Sequence, residues 1–148
     1  MPDVSLLKAF PTPSDSPFVI EHVAEEFTSL CPVTGHPDFG TITLRYMPSK
    51  PSAADRRRAG TDLQGTPSGA SGGMGGGCVE LKSLKMYYQS FRNEGIFYEA
   101  VTNRIRDDLV ALLNPEWLQV ITHWKGRGGI YSIIRADFGS VQEEYRGR

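Results

Sequence analysis

Phe18-Val19-Ile20-Glu21-His22-Val23 and Thr41-Ile42-Thr43-Leu44-Arg45-Tyr46 are two β-prone runs on either side of Cys31-Pro32-Val33-Thr34-Gly35-His36-Pro37-Asp38. Pro32, Gly35 and Pro37 fold the chain back between the runs, so Phe18 to Met47 reads as a β-hairpin. Cys31 falls where strand gives way to loop, with the Asp38 carboxyl able to reach whatever the thiol attacks.

Downstream of the hairpin the period changes. Leu81, Leu84, Tyr87, Tyr88 and Phe91 recur at spacings of three and four, which predicts a helix that Gly95 can end. Phe97, Val101, Ile105, Leu109 and Leu112 mark one face of a second helix over Ile96 to Leu113, with Arg104, Asp107 and Asp108 for the other face and Asn114-Pro115 as its stop. Leu81, Leu84, Ile105 and Leu109 read as core. Strands follow over Trp117 to Trp124, where Leu118, Val120 and Thr122 alternate with Gln119 and His123, and over Ile130 to Ala136. Lys125-Gly126-Arg127-Gly128-Gly129 connects them. The order β-β-α-α-β-β predicts an α+β domain, an antiparallel sheet with both helices on one face. Its open edges favour association through strand pairing.

Between Pro48 and Gly77 the composition turns to Pro, Ser, Gly, Ala and charge, ending in Gly72-Gly73-Met74-Gly75-Gly76-Gly77. Residues 48–77 therefore read as a flexible insertion, because ordering so many glycines costs backbone entropy. A phosphate-binding glycine loop would need a strand leading in and a Gly-Lys-Ser/Thr ending, and neither stands here. The expected organisation is an N-terminal extension, 1–17, a single domain, 18–136, and a C-terminal tail, 137–148.

With 148 residues there is room for one domain with a real core. Sixteen Lys and Arg against seventeen Asp and Glu give a formal net charge of -1, which argues against a general electrostatic attraction to nucleic acid or anionic membrane. Arg56-Arg57-Arg58 is the local exception, and a short charge run in a flexible loop is more often simply solvated. Met1 to Pro17 has no sustained apolar run and reads as neither a secretory signal nor a membrane span, so a cytoplasmic protein is expected. Its two cysteines, Cys31 and Cys78, then read as free thiols. Cys78 has no acid or base motif beside it and reads as structural or incidental. His22, His36 and His123 are scattered and no metal site is expected.

Two polar segments carry the chemistry. Cys31 offers a nucleophile with an acid nearby, and Glu80-Leu81-Lys82-Ser83-Leu84-Lys85 sets Lys82 and Lys85 at a helix start, where ammonium groups and backbone N–H groups together suit phosphate. Each has a plainer reading, since free cysteines are often buried and helix lysines usually just solvated. Taken together, Cys-Pro-x-Thr-Gly-x-Pro-Asp at Cys31 to Asp38, Glu80 to Lys85, and Ser90-Phe91-Arg92-Asn93 leading to Phe97-Tyr98-Glu99 resemble the NADPH-dependent 7-cyano-7-deazaguanine reductases of queuosine biosynthesis, in their short single-module subfamily. The resemblance runs from about Phe18 to Ile134 apart from the insertion.

That resemblance implies the tunnelling fold (T-fold), whose β-β-α-α-β-β unit agrees with the order above, and a ring-forming homo-oligomer with sites between subunits. It implies reduction of a nitrile to a primary amine with two NADPH, through a covalent thioimide on Cys31, with Asp38 as general acid that also helps poise the thiol. Glu99 matches the carboxylate that recognises the 7-cyano-7-deazaguanine base, with Phe97 packing on it and Tyr98 beside it. Glu80, Leu81, Lys82, Ser83 and Lys85 match the NADPH signature, with Arg127 and Gly128 as further phosphate partners. No direct tRNA binding is expected. One departure is Tyr98, where some family members have histidine: with an ordinary pKa of about 10, tyrosine does not shuttle protons near neutral pH. Two other classes would use parts of this pattern. An amidinotransferase-like T-fold enzyme would form the thioimide without hydride transfer and dispense with the Glu80 to Lys85 signature, while a non-catalytic purine-binding module would need Glu99 but not Cys31 and Asp38.

Overall fold

The computed structural model describes residues 2–53, 68–69 and 77–147. Most of the expected insertion, with Arg56, Arg57 and Arg58, lies outside the described residues. The strands are β1 (Lys8–Phe10), β2 (Ile20–Leu30), β3 (Pro37–Met47), β4 (Ser68–Gly69), β5 (Cys78–Val79), β6 (Trp117–Arg127) and β7 (Ile130–Gly139), and the helices are α1 (Leu81–Gln89) and α2 (Tyr98–Leu113). Four strands form the main antiparallel sheet in the order β2-β3-β6-β7. This is the expected α+β order, with longer strands than the β-prone runs alone indicate.

Alternation decides which side chains face the helices. Ile42, Leu44 and Tyr46 of β3 and Leu118, Val120 and Trp124 of β6 point to one face and meet Leu84, Tyr87 and Phe91 below α1 and Val101, Ile105, Leu109 and Leu113 of α2. Burial of each such large apolar side chain contributes roughly 1.5–3 kcal/mol. Between Ala24 and Phe27 the β2–β3 register shifts, so Glu25 and Glu26 form a bulge. The extra residue keeps Phe27 inward, where its ring meets Tyr88, Phe91 and Trp124 at centroid distances of 5.9, 5.8 and 5.8 Å.

The opposite face of β6 is covered too. Trp117, Gln119 and Ile121 are buried there, and the tail returns so that Tyr145 lies 5.5 Å from Trp117 and Val141 is buried. At the other end of the chain β1 pairs with β5 and β4 in a small second sheet, Ala9 opposite Val79 and Phe10 opposite Cys78. Residues on both sides of 18–136 thus belong to the packed unit. Cys78 is buried, and desolvation pushes its thiol up to about 11.

Two helix expectations are corrected. Leu81 is not core: at the first position of α1 it is 60% exposed, because the buried stripe runs through Ser83, Leu84, Tyr87 and Tyr88. Nor does Gly95 end α1. The helix stops at Gln89, where the Ser90 hydroxyl donates to the Tyr87 carbonyl, and turns continue to Glu94. Gly95 instead bridges to Leu30, with Leu30 N–H donating to Glu94 O at 2.9 Å and Ile96 N–H to Leu30 O at 3.1 Å. That clamp fixes the start of α2 beside Cys31. The helix ends at Asn114, whose left-handed φ of 42° and N–H bond to Val110 O close the last turn before Pro115.

Candidate active site

The turn from Cys31 to His36 is held by its own backbone. Cys31 N–H donates to His36 O and Gly35 N–H to Cys31 O, both at 2.8 Å, and Gly35 takes a φ of +73° that favours glycine. The thiol is met by the Thr34 hydroxyl and by the N–H groups of Thr34 and Val33, which lower its pKa from the usual 9.0, while slight desolvation and the charge of Asp38 push it up. Asp38 therefore opposes the thiolate rather than poising it, since a carboxylate near a sulfur anion repels it.

Asp38 is the second residue of β3, opposite Ser29, and is buried. Tyr98 donates its hydroxyl to Asp38 Oδ1 at 3.1 Å, and Arg127 Nη2 reaches the same oxygen at 3.1 Å while donating to Pro37 O at 2.6 Å. Burial first, then the bond to Asp38 and its charge, raise the Tyr98 pKa, with Arg127 offsetting part of this. Tyr98 thus stays a neutral donor.

The Tyr98 ring is stacked on Trp124, centroids 4.1 Å apart and planes 11° from parallel. Trp124 Nε1 donates to Thr122 Oγ1 at 2.8 Å, Thr122 shares a 2.7 Å hydroxyl contact with Thr102, and Thr102 donates to Tyr98 O at 2.7 Å. A short buried chain so ties the sheet to the first turn of α2. Gly40 makes room for it, because a Cβ there would meet His123 O at 2.7 Å and the Trp124 ring at 3.0 Å. On the other side of Trp124 a groove of about 510 Å³ opens between the Glu25-Glu26 bulge, Phe39, His123 and Lys125. Neither Cys31 nor Asp38 lines this groove.

Cys31, Asp38, Tyr98 and Arg127 therefore meet at one end of the sheet. Phe97 and Glu99 flank Tyr98, both exposed, Phe97 as the N-terminal cap residue of α2 and Glu99 in its first turn, where a carboxylate also suits the helix dipole. Gly128 follows Arg127 in the β6–β7 turn with a φ of +58°. The Glu80 to Lys85 segment stands apart. It begins α1, a helix of nine residues whose far end leads into the clamp at Leu30, so Lys82 sits toward the end of the helix away from that clamp and Lys85 midway along it. Both lysines are exposed. Glu80 accepts from Ser83 N–H as a helix cap, and Ser83 Oγ donates to Glu80 O and accepts from Lys8 N–H at 3.0 Å. The helix N-terminus is thus already capped by a carboxylate, which leaves the side-chain ammoniums rather than the backbone amides for an anion.

The sequence of the chain is 48% identical to a protein of Pelodictyon phaeoclathratiforme over 127 residues, 86% of this chain and 87% of that protein, and that relative is named NADPH-dependent 7-cyano-7-deazaguanine reductase. Relatives of the same name in Chlorobium phaeobacteroides and Anaeromyxobacter sp. strain K are 48% and 47% identical, over 88% and 90% of this chain and 88% of each relative. The chain belongs to the NADPH-dependent 7-cyano-7-deazaguanine reductase family. A family model described as QueF-like protein matches residues 75–143. The crystal structure of the archaeosine synthase QueF-Like in the apo form superposes with a TM-score of 0.58 at 16% identity, covering 87% of this chain and 99% of that one, and so supports the fold.

Three site features of this family member escape sequence reading. The bond from Arg127 to Asp38 depends on sheet register: Gly40 lies opposite Trp124, which carries Arg127 toward Pro37 and Asp38. The same pairing puts Trp124 under Tyr98. Thr34 lies inside the quoted motif, and its hydroxyl is set on the thiol only by the turn.

Proposed function

We propose that this chain catalyses NADPH-dependent reduction of the nitrile of 7-cyano-7-deazaguanine to the aminomethyl group, as its relatives' name states of them, with Cys31 as nucleophile and Asp38 as proton donor. The observation that carries this reading is the meeting of a thiol of lowered pKa with a buried carboxylate whose two strong donors both occupy Oδ1. Neither donor engages the second oxygen, Oδ2, to which this reading assigns the proton transfer.

The Cys31 thiolate adds to the nitrile carbon, forming a C–S bond, while the proton on Asp38 Oδ2 moves to the nitrile nitrogen. The product is a neutral thioimide on Cys31. NADPH, when bound, supplies a hydride to this carbon and then a second after the sulfur has left, so that two NADPH and two protons convert nitrile to amine. Between the two reductions Cys31 departs as thiolate, which the Thr34 and Val33 donors stabilise. Tyr98 keeps its proton and orients Asp38, so both protons reach the nitrogen through Asp38 or water. Glu99 accepts from the N–H groups of the base, and Phe97, exposed beside it, offers a ring to cover it.

The donor set suits the cofactor. Lys82 and Lys85 are exposed on the first turns of α1, and no ion pair engages either among the described residues, which leaves two ammonium groups for a phosphate. Leu81 beside them offers exposed apolar surface. Arg127 and Gly128 lie at the Asp38 end instead, so Arg127 divides between the acid and any phosphate that approaches it. This reading includes a homo-oligomer in which one copy's lysines serve another's thiol.

Absorbance at 340 nm, read on mixing protein, NADPH and 7-cyano-7-deazaguanine, tests the activity, with intact mass of an NADPH-free sample alongside. Two NADPH consumed per nitrile and a mass adduct on Cys31 are expected. An adduct without NADPH oxidation would instead mark a transferase, and neither signal a binding module. Cys31→Ala is expected to abolish both turnover and adduct with the fold intact; nitrile reduction by that variant would refute the thioimide.

A further inference from the structure

We propose that Ser29 is a positioning residue for this reaction, its buried hydroxyl supplying the donor for Asp38 Oδ2 once that oxygen has given up its proton. The proposal rests on the reading of Asp38 as proton donor, and deepens it by naming the group that stabilises the charge left behind. Ser29 and Asp38 are direct partners across the β2–β3 ladder. Opposite residues of an antiparallel pair share a face, with Cβ atoms about 5 Å apart. A serine hydroxyl and a carboxylate so placed are separated from a hydrogen bond by a turn of one side-chain bond. Both side chains are closed off from solvent, Ser29 at 0% and Asp38 at 4% exposure.

Packing alone does not account for a serine here. Ser29 shares the inward side of β2 with Phe27, and a fully buried position in that row favours an apolar side chain. Its Oγ nevertheless has no hydrogen-bond partner among the described residues, and an unpaired buried hydroxyl costs stability. The donors around Asp38 show where such a hydroxyl is of use. Sheet order places β3 between β2 and β6. Arg127 reaches Oδ1 from β6 and Tyr98 reaches the same oxygen from α2, which leaves the β2 flank, and Ser29 on it, to serve Oδ2. While Oδ2 carries its proton it needs no donor. After the proton has moved to the nitrile nitrogen the carboxylate is anionic and buried, and the serine O–H then bonds a charge that the ground state lacked. An interaction gained only as the proton leaves lowers the barrier without tightening substrate binding. The strand itself is held, since Leu30 N–H donates to Glu94 O and Ile96 N–H to Leu30 O immediately beside Ser29. The hydroxyl is therefore the part that turns.

The experiment follows the Cys31 adduct by intact mass, over seconds to hours, after mixing the full-length protein with 7-cyano-7-deazaguanine and no NADPH. Steady-state kinetics and thermal unfolding are read alongside. Ser29→Ala removes a single oxygen and is expected to slow adduct formation roughly tenfold, to lower kcat with KM unchanged, and to keep or raise Tm, because the hydroxyl it removes had no partner. In an Asp38→Asn background, where no proton leaves Oδ2, adding Ser29→Ala is expected to change the adduct rate by less than about twofold. Adduct formation at the parental rate in Ser29→Ala overturns the proposal. So does a further tenfold loss on top of Asp38→Asn, which would show that Ser29 does not act through the acid, and so does a clear fall in Tm, which would make the hydroxyl a structural partner. An Asp38→Asn protein as fast as the parent would refute the acid and the role of Ser29 together, as would a parent that neither forms adduct nor oxidises NADPH, whereas an active parent matched by Ser29→Ala refutes the role of Ser29 alone.

Discussion

Asp38 receives both strong donors on a single oxygen, and the two donors differ in kind. Arg127 brings a full charge from a half-exposed side chain, whereas Tyr98 brings a neutral hydroxyl fixed by its stack on Trp124. A guanidinium favours the ionised carboxylate; a phenol bonds either form and mainly sets the direction of the group. Tyr98→Phe keeps the stack and removes only the hydroxyl. It is expected to lower kcat by roughly tenfold, a loss of about 1.4 kcal/mol in the transition state, with thermal stability within a degree or two of the parent. Steady-state kinetics with both substrates checks this; kcat unchanged would show that Arg127 alone orients the acid. The raised pKa of Tyr98 adds that no ionisation of this residue enters the pH profile below that of an ordinary tyrosine. At this scale the motif itself was legible, because Cys31, Asp38 and Glu99 belong to contiguous patterns of characteristic residues. The bond from Arg127 to Asp38 was not, since it joins two residues far apart in sequence by way of strand register.

At the scale of elements, period decided what could be read. The long strands and both helices were visible because each buries one face of the same core, so apolar spacing repeats over several turns or pleats. β1 and β5, of three and two residues, are too short to show a period, and they exist because the N-terminal stretch pairs with the mid-chain residues that lead into α1. Leu81 misled because spacing alone assigns a helix's first residue to a stripe that its place at the N-terminus then turns outward. The β2 bulge was likewise invisible, yet it determines which residues of β2 are inside. His22 lies on the Leu44 side of that strand, half-buried, and desolvation lowers its pKa below 6.5. The unfolded chain therefore takes up a proton at His22 before the folded one does, so this residue's contribution is intact above pH 6.5 and declines as pH falls through that value toward the folded pKa. Replacing His22 with Gln, which does not titrate, is expected to shrink the fall in Tm between pH 7.5 and 5 by about 1–3 °C. Scanning calorimetry across that range decides it, and an equal fall in both proteins would remove His22 from the acid response.

For the whole molecule the question is how separated parts of one site come together. Cys31 and Asp38, with Phe97 and Glu99 on either side of Tyr98, collect at one end of the sheet, while Lys82 and Lys85 are the second and fifth residues of α1, about 10 and about 6 Å of helix rise from its last residue at 1.5 Å per residue. Among the described residues the sheet has two open edges, β2 and β7, and Val23, Phe39, Ile130 and Tyr131 expose apolar surface on or beside them. Open strands and exposed apolar side chains both favour joining copies edge to edge, which would carry one copy's helix face toward the next copy's turn. If the lysines of one copy hold the cofactor for the thiol of another, two different defects can be repaired by mixing. Cys31→Ala and the double variant Lys82→Ala with Lys85→Ala are each expected to lose nearly all turnover alone. Co-expressed with different tags and purified through both, they should regain a clear fraction of parental kcat, because some interfaces then combine an intact thiol with intact lysines. Size-exclusion chromatography with light scattering on the same sample shows whether copies associate at all. Association without recovery would place thiol and lysines in the same copy's site, and a monomer with full parental activity would remove the shared site altogether.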